Sequence, residues 1–259
     1  MSCPEETRDR FLGGRFELIQ PKGWGLRAGL DALLLAASVP SHAKGRAVDL
    51  GAGSGAAGFA LATRCEGLDV VLAERDAQTL ALARRSILLP ENAPLASRLD
   101  AVEVDILASR PAREAAGLSD GGFDLAITNP PFHPPGGRLS PDVKRAAATA
   151  APERGFLQRW VAVSAALLRP GGILALIARP DGLAEILAGA ENRLGDLRIL
   201  AVHTKEGEPA IRILVHARRA SRAPLRLLPP LVLRDATGAP YLLERMVGEG
   251  TAAIDLGLA

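Results

Sequence analysis

Five short apolar runs, set apart by longer connecting stretches, constrain this chain most. They are RAVDL (46–50), LDVVLAE (68–74), LDAVEVD (99–105), GFDLAITN (122–129) and ILALIA (173–178). AAGFALATR and AQTLALARRSILL follow the first two, a stretch at about 153–168 precedes the fifth, and another at about 181–194 follows it. All four have helical character. Strands that alternate with helices connect by crossovers, so these runs predict a parallel sheet covered on both faces. Two more runs, near 197–203 and 210–218, are joined by TKEGEP. That link is too short for a crossover helix, so the pair is expected to be antiparallel. The expectation is an α/β fold of seven strands, mostly parallel, with an antiparallel hairpin at one edge.

The flanks read as accessories. LRAGLDALLLAASV (26–39) predicts a helix with Leu30, Leu33, Leu34 and Ala37 on one face, ended by Pro40. LGGRFELIQPKG suggests a short strand between turns. We divide the chain into an N-terminal segment and helix packing on a ligand site (1–40), a main domain (41–219) and a C-terminal extension, Pro-rich at first, packing on that domain (220–259). Hydrophobic residues make up 48% of the 259 and aromatic residues only 3%, so a sizeable core is expected and must be aliphatic.

Charge and cysteines narrow the partners. The net charge of +2 argues nothing alone, but residues 198–234 hold eight Lys or Arg against two Asp or Glu, a surplus of six. Such a strip can attract phosphate backbones, or it can simply be a solvated face. Cys3 and Cys65 lack metal-site spacing, so no metal is expected, and two thiols fit a reducing compartment. MSCPEETRDR has no apolar signal region, and no run reaches the ~18 residues of a membrane span. The expectation is a cytoplasmic protein with no membrane partner.

VDLGAGSGAAG follows a strand and opens a helix, the context in which a glycine loop binds ligands. Gly53, Gly55 and Gly58 satisfy a dinucleotide fingerprint, with Glu74 near the ribose-binding position, so a nicotinamide cofactor is one reading. Asp49, expected at the mouth of the site, would repel a pyrophosphate. It would favour the ammonium and sulfonium of S-adenosylmethionine. Glu74 and Asp105, ending the next two strands, would then accept the ribose hydroxyls and the adenine amino group. Strand-end acids can also be helix caps.

Asn129 ends the fourth run and is followed by Pro130, Pro131 and Phe132. The prolines stiffen the turn and remove two backbone donors. The Asn129 side-chain oxygen and the Pro130 carbonyl then form an acceptor pair, and Phe132 offers a flat face. Two acceptors gripping both N–H groups of a planar exocyclic amine, such as N6 of adenine, favour a pyramidal nitrogen with an available lone pair. Positioning and electrostatics then carry the transfer without a strong base. The bland alternative is a rigid turn with a capping Asn.

DLGAGSG, LAERD, VDI and NPPF resemble the successive motifs of class I adenosylmethionine-dependent amino-methyltransferases. With QPKGWGLRAGLDALLLAA, SPDVKRAA and PLVLRDATGAPY, the likeness extends over nearly the whole chain to the bacterial tRNA(Val) adenine N6-methyltransferase family. The resemblance implies a seven-stranded Rossmann-like methyltransferase fold with an antiparallel last strand. It implies that Asp49, Gly51, Gly53, Gly55, Glu74, Asp105, Ile106 and Asn129 line the cofactor. Arg27 and Asp31 would lie at its methionine end, and Asn129 to Phe132 would hold the target base. The implied substrate is RNA, specifically a tRNA adenosine beside the anticodon. Where some relatives carry a His, the residues after Arg145 (AAATAA, 146–151) are all small, which leaves Lys144 and Arg145 either as phosphate contacts or as part of a solvated loop. NPPF also serves guanine N2 methylation in rRNA, of which His133 is reminiscent, and glutamine N5 methylation in protein. Outside the transferases, a nicotinamide oxidoreductase and a catalytically silent RNA-binding protein are the competing classes.

Overall fold

The computed structural model describes residues 5–24, 27, 29–131 and 154–257. The chain opens with a hairpin, β1 (Glu6–Phe11) and β2 (Phe16–Pro21), followed by α1 (Leu30–Ala37). Then come β3 (Lys44–Leu50), α2 (Ala56–Arg64), β4 (Gly67–Glu74), α3 (Ala77–Ile87), the single turn α4 (Ala93–Ala96) and β5 (Leu99–Glu103). Next are α5 (Arg110–Ala115), β6 (Phe123–Thr128), α6 (Phe156–Leu167), β7 (Leu168–Ala178) and α7 (Leu183–Ala190). The antiparallel pair β8 (Leu194–Lys205) and β9 (Ala210–Arg219) follows. The chain closes with β10 (Arg226–Leu227), β11 (Leu231–Arg234) and α8 (Leu242–Glu249).

The main sheet runs β5-β4-β3-β6-β7-β9-β8, with β3 to β7 parallel. The expected α/β architecture, with an antiparallel last strand of the seven, is therefore present. Within those seven the β8–β9 hairpin forms one end of the sheet, as expected, but with its two strands in inverted order. β9 inserts between β7 and β8 and is antiparallel to both. β8 is in turn extended by β10 and β11, each parallel to it, giving nine strands among the described residues. The Pro-rich composition of 220–230 hid these two strands. They need few ladder bonds, and prolines are tolerated beside a sheet edge. Covering β8 also removes an unpaired edge.

Side chains alternate between two cores, as strand geometry requires. In β3, Ala47 packs toward α1 and α2, and Val48 and Leu50 pack toward α6. In β7, Ala175 and Ile177 take the first side and Leu174 and Leu176 the second. Both cores are dominated by Leu, Val, Ile and Ala. The N-terminal hairpin packs on α3 and the turn after it: the Ile19 N–H donates to Ser86 Oγ in α3 at 2.9 Å, and the Glu17 N–H to Asn92 Oδ1 in the turn Pro90–Asn92 at 2.9 Å. The C-terminal residues return to the body. The Ile254 N–H donates to the Ala37 carbonyl at 2.9 Å, and Arg198 Nη1 donates to the Leu256 carbonyl at 2.9 Å. Among the described residues no helix is long and apolar enough to cross a membrane.

Candidate active site

The carboxyl ends of β3, β4, β5 and β6 meet at one end of the sheet, where ligands of open α/β sheets bind. The glycine loop turns there. Gly51, Gly53 and Gly55 have φ of 71°, 58° and 95°, left-handed values that side chains with a Cβ resist. The Gly51 and Ala52 amides donate to the Ala73 carbonyl at 2.9 and 3.0 Å, and the Gly55 amide donates to the Ala52 carbonyl at 2.9 Å. The Gly53 amide donates to Glu74 Oε2 at 2.9 Å. Gly58 is glycine for a different reason. A Cβ there would overlap Leu72 Cδ2, because α2 lies directly against the strands.

Asp49 is under the loop rather than at the mouth of the site. It is 2% exposed, and its Oδ2 accepts the Gly58 N–H at 2.8 Å. Alternation along β3 explains the difference: Asp49 shares the α2-facing side with Ala47. Burial pushes its carboxyl up to about 7. The Gly58 hydrogen bond opposes the shift, and the nearby Glu74 charge adds to it.

Glu74 is half-buried at the end of β4. Its Oε1 accepts the amides of Arg75 and Asp76, each at 2.9 Å, while Oε2 holds the loop through Gly53. Both oxygens are therefore engaged, and Oε2 keeps one lone-pair site. Asp105 lies two residues beyond β5 and is exposed. Its Oδ1 accepts the Leu107 N–H at 2.9 Å, and no described residue engages its second oxygen. Ile106 is 3% exposed and belongs to the core on the α6 side.

Asn129 follows β6 directly and is half-buried; Pro130 is buried and Pro131 half-buried. What fixes this strand end escaped the sequence reading. Thr128 Oγ1 donates to the Leu50 carbonyl at 2.8 Å and accepts the Trp160 indole N–H at 3.1 Å. The Trp160 ring also lies under the loop, 3.3 Å from where a Gly51 Cβ would stand. A polar residue closing an apolar strand and a rare Trp were the available signals. Phe132, His133, Lys144 and Arg145 lie outside the described residues.

The residues expected at the methionine end are already paired. Arg27 Nη2 donates to Asp9 Oδ2 at 2.8 Å, and Asp31 Oδ2 accepts from Arg212 Nε at 2.8 Å. The structure thus brings Asp49, the glycine loop, Glu74 and Asn129 to one end of the sheet and gives Arg27 and Asp31 protein partners. This donor set suits a cationic ligand bearing hydroxyls. Of the amides a pyrophosphate could use, those of Gly51, Ala52, Gly53 and Gly55 in the loop and Gly58 in α2 are engaged within the protein.

Fold and site together define an adenosylmethionine-dependent methyltransferase. The profile of the methyltransferase small domain family matches residues 28–205, and the chain belongs to that family. A solved predicted O-methyltransferase from Agrobacterium tumefaciens is 36% identical with a TM-score of 0.74, covering 87% of this chain and 98% of its own. A 16S rRNA N2 methyltransferase of T. thermophilus, solved with AdoMet and guanosine, is 25% identical with a TM-score of 0.55, covering 84% of this chain and 51% of its own. Among curated relatives, a tRNA1(Val) (adenine(37)-N6)-methyltransferase of Shewanella sp. is 28% identical over 83% of this chain and 87% of its own length. A release factor glutamine methyltransferase of Chlorobaculum tepidum is 32% identical over 61% of this chain, which spans 53% of that relative's length. Adenosylmethionine, the family's cofactor, supplies an electrophilic methyl group on a sulfonium.

Proposed function

We propose that this methyltransferase modifies the N6 amine of an adenine in RNA, with a cytoplasmic tRNA as substrate and the adenosine beside the anticodon as target. The observation that carries the reading is the rigid Asn129–Pro130–Pro131 end of β6 beside the glycine loop. Its amide oxygen and the Pro130 carbonyl supply two acceptors for the two N–H groups of an exocyclic amine. Holding both protons favours a pyramidal nitrogen, and the fixed loop aligns it with the methyl donor. Phe132 would stack on the base. A paired base would first have to be flipped out. The likeness, over 83% of this chain, to a relative named for adenine N6 methylation supports this substrate over guanine N2 and glutamine N5, which share the same acceptor turn.

In the same reading, the open lone pair of Glu74 and the free oxygen of Asp105 take the ribose and adenine of the cofactor. Asp49 holds the loop and gains a proton-free state when a cation arrives above it. Arg27, exposed and shared with Asp9, would release that pairing to reach the methionine carboxylate.

The test is methyl transfer from labelled adenosylmethionine to total RNA from cells lacking this protein, followed by nucleoside analysis. N6-methyladenosine in the tRNA fraction is expected. N2-methylguanosine, or label in protein, would overturn the substrate while keeping the methyltransferase.

A further inference from the structure

At the opposite end of the sheet from Asn129 lies a cavity of about 390 Å³, within the size range of small-molecule sites. The starts of β3, β4, β6 and β7 and the end of β9 surround it. Val39, Leu68, Leu125 and Ile173 give it an aliphatic interior. Its charged residues are unequal. Asp124 is occupied: it accepts the Arg46 N–H at 2.7 Å and pairs with Arg169. Lys44 and Arg218 also line the cavity, and among the described residues no carboxylate pairs with either. Arg218 only donates to the Gly171 carbonyl, at 3.1 Å. The cavity therefore keeps two uncompensated cations.

His216 supplies a second, independent observation. It lines the same cavity and is 1% exposed. Ser38 Oγ donates its one hydrogen to the Leu35 carbonyl at 2.7 Å, so His216 Nε2, 2.9 Å from the same oxygen, must be the donor of that contact. Nδ1 is then a bare acceptor, and it has no partner. Buried acceptors are rarely left so. Burial keeps this ring neutral, lowering it to about 3, with the Arg198 charge adding to the effect.

We propose that this cavity is a second binding site, separate from the methyl-transfer crevice, for a small organic anion. The anion's apolar body bears an N–H or O–H donor for His216, and its charged group rests on Lys44 and Arg218. Charge complementarity selects the anion, the aliphatic interior selects the body, and the unsatisfied imidazole nitrogen selects the donor.

Anilinonaphthalene sulfonate has all three features and fluoresces when bound; phenylnaphthylamine has the same body and N–H without the charge. Titration of each into the full-length protein should give saturable binding of one probe per chain, unaffected by excess S-adenosylhomocysteine. Lys44→Glu and Arg218→Glu should each weaken the sulfonate about tenfold and leave the neutral probe within about twofold. His216→Phe should weaken both probes, and Ala43→Phe, which fills the cavity, should abolish both. Circular dichroism melting identifies any variant that fails to fold, and the two rim variants, both at solvent-accessible positions, keep the test decisive. Displacement by S-adenosylhomocysteine, non-saturable binding, or sulfonate affinity unchanged in both rim variants would overturn the proposal.

Discussion

The proposed function places the chemistry on one side chain, Asn129, whose substitution should separate binding from turnover. In the proposed reading the cofactor meets the glycine loop, Glu74 and Asp105, whereas the acceptor pair acts on the incoming amine. Asn129→Ala should therefore reduce kcat by roughly 10²–10³-fold, the scale seen when one preorganised polar group is removed from a transition state. Calorimetric cofactor affinity should stay within about threefold. Unchanged turnover would remove the mechanism. Asp49 gives a different residue-level prediction, because its carboxyl is buried and sits near 7 rather than 3.8. Between those values the folded protein binds more protons than the unfolded chain, so this group's contribution to stability falls as pH rises from about 4 to 7 and is flat above. At 1.36 kcal/mol per unit the full swing is roughly 4 kcal/mol. His216 does the reverse. Its folded value near 3 against 6.5 makes stability rise with pH over much of the same range. The two slopes oppose each other in the wild type. Asp49→Asn should thus gain stability relative to wild type as pH goes from 4 to 7, measured by urea unfolding at each pH. A constant difference would show that Asp49 is ionised in the fold.

At the scale of elements, the close approach of α6 and α7 sets Trp160, and through it Thr128 and the strand end that carries Asn129. Gly189 makes that approach possible. A Cβ there would stand 2.6 Å from the Gln158 carbonyl oxygen and 2.8 Å from Val161 Cβ. Backbone does not yield as a side-chain tip does, so Gly189→Ala should cost about 1–3 kcal/mol despite alanine's better helix propensity. A melting temperature equal to wild type would refute the close packing. The elements themselves were largely legible. AAGFALATR is helical over all nine of its residues because a glycine loop opens it and a β-branched strand follows. The helix read at 26–39 shortens to Leu30–Ala37, since Gly29 is extended and starts it late. Residues 169–172, RPGG, have the composition of a turn, yet β7 runs through them, because Leu168 pairs with Phe123 and Gly171 takes a φ of 81° within the strand. Strand order was not legible: nothing in residues 194–219 records that β9 passes between its neighbours. The burial of Asp49 was hidden for a related reason, since the face a strand residue takes depends on the register and packing of other strands. The ion pairs of Arg27 and Asp31 join segments 18 and 181 residues apart, beyond any local pattern.

For the whole molecule, the basic strip at 198–234 is not one surface. Arg198, Arg212 and Arg234 are each held by a carboxylate, those of Asp196, Asp31 and Glu244. The rest divide between the ends of the sheet because β9 runs against β8. Lys205 ends β8 on the side of the Asn129 crevice, while Arg218 and Arg219 end β9 on the far side, and Arg226 pairs beside Arg198 toward that side. At 3.3 Å per residue, the ten residues of β9 separate the two groups by roughly 30 Å. Charge counted along the sequence therefore overstates what the crevice offers to a phosphate backbone. If RNA is the substrate and docks over the crevice, Lys205→Glu should raise KM for RNA severalfold and make binding less sensitive to salt, with kcat unchanged. Arg222→Glu combined with Arg226→Glu should leave both constants within about twofold, since neither residue is near Asn129. Steady-state kinetics on bulk tRNA at two salt concentrations distinguishes the two ends. A large effect from the far-side pair alone would mean that the RNA wraps the sheet edge. The substrate would then be recognised by a surface the chemistry never touches, with the far cavity lying beneath it.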